Sequence, residues 1–152
     1  MTYSVLEVKY YKSLIIKFMK LLMKNGKQSK SEKIVWLMLK SLSEKNNVSP
    51  LFIFYKGLKN ISPLVIVRSV KVRGRSYQIP IPLKESRQLS IGMKWLIKSC
   101  NQLMSTKGGI FSDILVQQLI IAYQNKGEIL KKKSELHKLA RSNRIFANFR
   151  WF

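Results

Sequence analysis

A mainly α fold is predicted: a single helical domain of about six helices from which one basic β-hairpin protrudes. Three observations carry this reading. Apolar residues recur at helical spacing over most of the chain. One central stretch is instead rich in β-branched residues and contains a turn signal. Finally, 46% of the residues are hydrophobic, the proportion of an ordinary globular protein and not of a disordered basic tail. At 152 residues, against a norm of roughly 100–200 per domain, residues 1–152 are expected to form one domain with its own core.

The first helix is read over residues 14–23, where Leu14, Ile15, Ile16, Phe18, Met19, Leu21, Leu22 and Met23 leave Lys17, Lys20 and Lys24 within an arc of about 60°. Asn25-Gly26 ends it, because glycine takes the left-handed position after a helix at no steric cost. A second helix is expected from near Ser31 through Ile34, Val35, Leu37, Met38, Leu39 and Leu42 to Asn46-Asn47. Ser49-Pro50 then supplies a cap and a first-turn proline whose missing N–H costs nothing. The third helix, about 50–58, turns Leu51, Phe54, Tyr55 and Leu58 toward a core.

The pattern changes after Ile61-Ser62-Pro63. Residues 64–72 and 75–82 read as the two arms of a hairpin, about 64–82, folded at Arg73-Gly74. At ~3.3 Å per residue each arm reaches roughly 25 Å. Neither arm alternates cleanly, and Arg68, Lys71, Arg73 and Arg75 crowd toward the tip, so the base is expected to pack and the tip to project. Helical spacing returns over 86–103, with Leu89, Met93, Leu96, Ile97 and Cys100 on one side and Arg87, Lys94 and Lys98 on another. The segment from Thr106 through Gly109 reads as a loop, and Ser112 as the cap of a fifth helix running to Asn125 before Gly127. A last helix, from about 128 to 143 or beyond, places Leu136, Leu139, Ala140 and Phe146 inward and Lys131, Lys138 and Arg141 outward.

Lys plus Arg number 29 against 7 Asp plus Glu, a formal net charge of +22. Self-repulsion on this scale calls for a polyanionic partner. The basic residues are spread evenly, 16 in residues 1–76 and 13 in 77–152, so no detachable polybasic arm is present. Catalysis finds little support. The carboxylates of Glu7, Glu32, Glu44, Glu85, Asp113, Glu128 and Glu135 are scattered singly, whereas metal-dependent phosphoryl chemistry gathers them around a cation. His137 is the single histidine, set among Lys131, Lys132, Lys133 and Lys138, which depress its basicity. It is read as structural or RNA-contacting. Cys100, the single cysteine, forms no internal disulfide and with His137 falls short of a zinc site. Phosphate-loop and dinucleotide patterns are absent, and no cofactor is expected.

A distributed cationic surface therefore points to nucleic acid, bound through phosphates and largely blind to sequence. Tyr77 on the hairpin and Phe149, Trp151 and Phe152 at the tail are candidates for stacking on unpaired bases, and Trp95 for packing against the core. Charge does not separate RNA from DNA. A helical body with a basic β-arm also suits a DNA-bending architectural protein. A membrane-surface reading explains only the first helix, whose apolar run is broken by Lys17 and Lys20 well short of the roughly 20 residues a span needs. A cleavable signal is disfavoured, since the run lies beyond Glu7 and no small-residue cleavage site follows.

Two motifs carry a family resemblance. The stretch Val65-Ile66-Val67-Arg68-Ser69-Val70-Lys71-Val72-Arg73-Gly74-Arg75-Ser76-Tyr77-Gln78-Ile79-Pro80 resembles the hairpin VEVRSRRVGGxxYQVP of the small-subunit ribosomal protein seven family. The run Lys131-Lys132-Lys133-Ser134-Glu135-Leu136-His137-Lys138-Leu139-Ala140, followed by Asn143 and by Phe146-Ala147-Asn148-Phe149-Arg150-Trp151, is similar to its KKREDxHRMAxxN…FAHYRW. Lys17-Phe18, Leu22-Met23, Gly26-Lys27, Ile34-Val35, Arg87 and Lys94-Trp95 extend the similarity over about residues 12–151. The resemblance implies a non-enzymatic structural constituent of the small ribosomal subunit that binds the 3′ head domain of its rRNA and nucleates assembly of the head. Its partners would be that rRNA and neighbouring small-subunit proteins, with the ribbon near the exit path of mRNA and exit-site tRNA, and no membrane. Carried over by position, rRNA contacts are implied for Lys27, Arg68, Lys71, Tyr77, Arg87, Lys94, Lys131, Lys132, Lys133, His137, Lys138 and Arg150; Arg73 and Arg75 join them as the charge of the tip.

The chain departs from the pattern at Val70 (a second Arg in the family), Arg73 (the first of two glycines), Gln88 (within a usual Arg pair) and Asn148 (a His). Arg73 lacks the conformational freedom of the glycine it replaces. The basic N-terminal arm of bacterial members is short here. A count of 22 Lys to 7 Arg, with many Ile and Asn, suggests an A+T-rich gene. The Phe-Arg-Trp-Phe ending and Ala122-Tyr123-Gln124 look more like mitochondrial members, and no import presequence is evident. The expected location is a mitochondrial ribosome, with a plastid or bacterial ribosome as the alternative.

Overall fold

The computed structural model of the protein describes residues 5–45 and 47–149. In chain order these form α1 (Val5–Leu22), α2 (Gln28–Lys45), α3 (Pro50–Ile61), β1 (Val65–Val72), β2 (Arg75–Pro82), α4 (Glu85–Lys107), α5 (Phe111–Tyr123) and α6 (Glu128–Ser142), followed by a 3₁₀ segment, Arg144–Phe149. The fold is mainly α with one antiparallel ribbon, as the periodicity predicts.

Helix α5 is the hub. Its buried Leu115, Val116, Leu119 and Ala122 pack most extensively on α3, then on α2 and α4. One core runs through the bundle and includes Phe18 and Leu22 of α1, Met38 and Leu42 of α2, Phe54 and Leu58 of α3, and Met93, Leu96 and Cys100 of α4. Phe18 meets Phe54 edge-on at 5.4 Å, a favoured arrangement for aromatic quadrupoles. Truncating such a residue to alanine costs about 2–5 kcal/mol.

Several boundaries differ from the sequence expectation, each for a local reason. Helix α1 begins nine residues earlier than read, at Val5 and not Leu14, because Tyr11 continues the buried stripe of Leu14, Ile15 and Phe18 and its ring lies 5.0 Å from that of Tyr55. Helix α4 continues through Thr106 and Lys107, read as loop, until the N–H of Gly108 donates to the Met104 carbonyl at 3.0 Å. Ser112 is not the cap of α5. It lies inside the first turn and is buried, while Ile110 holds the cap position without a side-chain bond. Ser49 does precede Pro50 at the start of α3, also without a side-chain cap bond. Leu139 is 43% exposed, not inward, since α6 turns Ile129 and Ala140 to the body instead. Of the Asn46-Asn47 pair, Asn46 lies outside the described residues.

The ribbon pairs Val65 with Pro82 through to Val72 with Arg75, leaving a two-residue turn. Both turn residues have positive φ, 48° at Arg73 and 81° at Gly74, the type I′ geometry whose twist matches that of the strands. The turn therefore forms despite the arginine. The N–H of Leu83 donates to the Leu64 carbonyl at 3.0 Å. With bonded and non-bonded pairs alternating in an antiparallel ladder, Pro80 and Pro82 then fall at non-bonded positions, where a missing donor is harmless.

Candidate nucleic-acid interface

The ribbon joins the body through the buried Ile79 and a set of specific bonds. Ile79 is 1% exposed, and α6 and the 3₁₀ segment lie against the strands. Arg68, Lys71, Arg73 and Arg75 are all exposed, so four cations ride on a narrow arm. At the base, Arg68 of β1 and Arg87 of α4 line one groove together with Lys84. The sequence singles out the two arginines separately; Lys84 escapes it, because a lone lysine between a strand and a helix carries no pattern.

Two further groups are assembled on the helical body. Lys27, in the turn between α1 and α2, is exposed and rims a hollow with Lys24 and Lys30 over the apolar side chains of Met104 and Phe111. Lys132 and Lys98 share the cleft between α4 and α6 with Glu128. The Lys132 ammonium lies 5.2 Å from the centre of the Trp95 ring, a cation–π contact on a side chain packed against the core. Lys94, Lys131 and Lys138 are exposed. Arg150, Trp151 and Phe152 lie outside the described residues.

Two members of the basic cluster on α6, Lys133 and His137, bond to the protein's own backbone. Lys133 is half-buried, and its ammonium donates to the Asn60 carbonyl at 2.6 Å. Burial holds its pKa below the usual lysine value. His137 accepts the N–H of Leu64 on Nε2 at 3.1 Å, so the neutral ring carries its proton on Nδ1. Burial, and secondarily the charge of Lys133, lowers its pKa. Both side chains occupy the junction where α3 gives way to β1, a place where helix-end and strand-start backbone groups need partners.

Of the aromatic candidates, Tyr77 and Phe149 have partners inside the protein. The ring of Tyr77 lies 5.2 Å from both Phe146 and Phe149, and those two stack at 6.3 Å. This cluster seats the 3₁₀ segment on β2. Among the described residues no group of His, Cys, Asp and Glu is placed to hold a metal ion, and no helix is long and apolar enough to cross a membrane.

A helical body with a cationic ribbon and lysine clusters on several helices, and with few carboxylates to offset them, defines a class: a folded polyanion-binding protein. Comparison with known proteins gives the family. Residues 2–144 match the family model described as ribosomal protein S7p/S5e, and the chain belongs to that family. It is 40% identical to the small ribosomal subunit protein uS7 of Petrotoga mobilis, over 91% of this chain and 87% of that protein. Against uS7 of Hydrogenobaculum sp. the identity is 35%, over 95% and 91%. The uS7m protein of Reclinomonas americana is 33% identical over 91% and 86%. This is a family of structural proteins, not of enzymes.

Proposed function

We propose that the protein is a structural constituent of the small ribosomal subunit that binds the 3′ head domain of its rRNA and nucleates assembly of the head. The observation that carries this reading is the arrangement of cations: an exposed basic ribbon and separate lysine clusters on the body, spaced over one folded molecule. Such a layout suits a folded RNA, whose phosphates lie at fixed separations, better than a smooth surface of charge. The contacts are assigned to Lys27, Arg68, Lys71, Arg73, Arg75, Arg87, Lys94, Lys131, Lys132, Lys138 and Arg150. On the same reading the ribbon lies near the exit path of mRNA and exit-site tRNA, and neighbouring small-subunit proteins cover part of the body.

The test is competitive binding, at near-physiological salt, of the purified protein to a head-domain rRNA fragment against unrelated structured RNA and duplex DNA. A preference of at least about a hundredfold, equivalent to roughly 2.7 kcal/mol, is expected. Equal binding to all three sinks the reading and favours the DNA-bending alternative. For location we infer a mitochondrial ribosome, supported by the excess of 22 Lys over 7 Arg and by the mitochondrial relative. Co-sedimentation with cytosolic or plastid small subunits from fractionated cells, in place of mitochondrial ones, would contradict it.

A further inference from the structure

The hairpin's lowest rung is half made. Leu83 donates its N–H to the Leu64 carbonyl, yet the complementary bond, Leu64 N–H to Leu83 carbonyl, is replaced by two side chains from the body. His137 of α6 accepts from Leu64 N–H at 3.1 Å, and Gln88 Nε2 of α4 donates to the Leu83 carbonyl at 2.7 Å. The residue that enters the ribbon is thus held by one helix and the residue that leaves it by another. Immediately upstream, Lys133 donates to the Asn60 carbonyl, while Asn60 Nδ2 donates to the carbonyls of Ala122 and Tyr123 at the end of α5. The Ser62 hydroxyl donates to the Leu58 carbonyl at 2.6 Å, under the closely packed Gly92 of α4. Three helices therefore converge on residues 60–64, the point at which the ribbon leaves the body.

We propose that His137, Gln88 and Lys133 are positioning residues: they clamp both strands at the root of the ribbon and fix the angle at which its basic tip is presented, without themselves touching RNA. A hairpin of two strands has little stability of its own and bends about its attachment unless it is packed or tied. Here the clamp ties the root while Tyr77, against Phe146 and Phe149, supports the shaft. An arm held at one angle meets phosphates without first losing conformational freedom, so affinity at the tip depends on the clamp. Gln88 suits this place because a neutral amide reaches the Leu83 carbonyl from a half-buried position.

The inference rests on the rRNA-binding reading only for its consequence, and two measurements separate them. The first needs no RNA. Spin labels are placed at the tip by Ser76→Cys and on the body by Lys107→Cys; Cys100 stays unlabelled, being fully buried with its thiol pushed up to about 12. The interlabel distance distribution is expected to be narrow in the otherwise unchanged protein, broad with His137→Ala or Gln88→Ala, and narrow again with His137→Gln, whose amide oxygen accepts the Leu64 N–H. Unchanged distributions overturn the clamp. Should His137→Ala fail to fold, Gln88→Ala, which releases Leu83 at the end of the opposite strand, carries the same comparison.

The second measurement is binding to the head-domain rRNA fragment. His137→Ala is expected to weaken it about fivefold or more, in the range of coupling between linked sites. In a background carrying Arg68→Ala, Lys71→Ala, Arg73→Ala and Arg75→Ala it should have no further effect, because the ribbon it positions then carries no cation. A penalty that persists in that background makes His137 a direct contact and overturns the proposal. Absence of any rRNA preference in the unmutated protein overturns the functional reading and leaves the distance result standing.

Discussion

The clearest single-residue case is His137, whose charge state is tied to one backbone bond. Its pKa is lowered from the ordinary 6.5 by burial and by Lys133, so between that value and the folded one the unfolded chain binds more protons than the folded protein. Stability therefore rises with pH through this window and is lost as pH falls below about 6.5. Protonation removes the acceptor that Leu64 N–H uses. Urea unfolding at pH 7.5 and 5.5 should show a lower midpoint at the acid value, and His137→Gln should flatten the difference; an equal acid loss in the variant would assign it to other groups. Lys133 makes a parallel case. Lys133→Ala leaves the Asn60 carbonyl, at the end of α3, without its partner and should cost about 1–3 kcal/mol of stability. Lys131→Ala and Lys138→Ala, on the exposed side, should leave stability within about 0.5 kcal/mol and reduce the salt slope of RNA binding by about 0.7–0.9 per contact.

At the scale of elements, the ribbon's turn and the α3–α4 contact each place a local rule under load. Arg73 holds φ 48° in a turn that favours Asn-Gly, and a left-handed non-glycine costs about 1–2 kcal/mol. Arg73→Asn should raise the thermal midpoint while lowering the salt slope of RNA binding by about 0.7–0.9, since one tip cation is gone. A gain in stability with no change in slope would remove Arg73 from the interface. Where α4 crosses the start of the ribbon, a Cβ on Gly92 would sit 2.6 Å from the Ser62 hydroxyl oxygen. Gly92→Ala should cost about 1–3 kcal/mol despite alanine's better helix propensity, and in a Ser62→Ala background most of that cost should vanish.

Much at this scale is legible in the sequence. The bounds of β1 and β2, the apolar face of α4 and the exposed ribbon tip follow from β-branching, helical spacing and the Arg-Gly pair, all local signals. What is not legible depends on meetings between distant segments. Nothing near His137 or Lys133 announces that their partners are backbone groups of Leu64 and Asn60, both 73 residues away. Nor does the sequence near Tyr77 announce that the 3₁₀ segment brings Phe146 and Phe149 to its ring. Ser112 fails as a cap because burial against the bundle, a tertiary term, outweighs its local preference.

For the whole molecule the governing quantity is the net charge of +22 on a chain of 152 residues. The core running through α1 to α5 must hold the fold together against that repulsion, which weakens as salt shortens the screening length from about 30 Å at 0.01 M to about 8 Å at 0.15 M. Two opposite salt effects follow from one charge distribution. The free protein should melt at higher temperature in 0.15 M than in 0.01 M salt, because screening relieves the folded state. Its complex with the head-domain rRNA fragment should weaken over the same range, because counterion release is worth less. At low salt, RNA at a hundred times its Kd should add about 2.7 kcal/mol to the stability. Calorimetric scans of protein alone and with RNA at both salt concentrations give four midpoints, and the interval between free and bound should shrink as salt rises. A constant interval would mean that the complex is held by contacts other than phosphates, and that the basic ribbon and lysine clusters are not its interface.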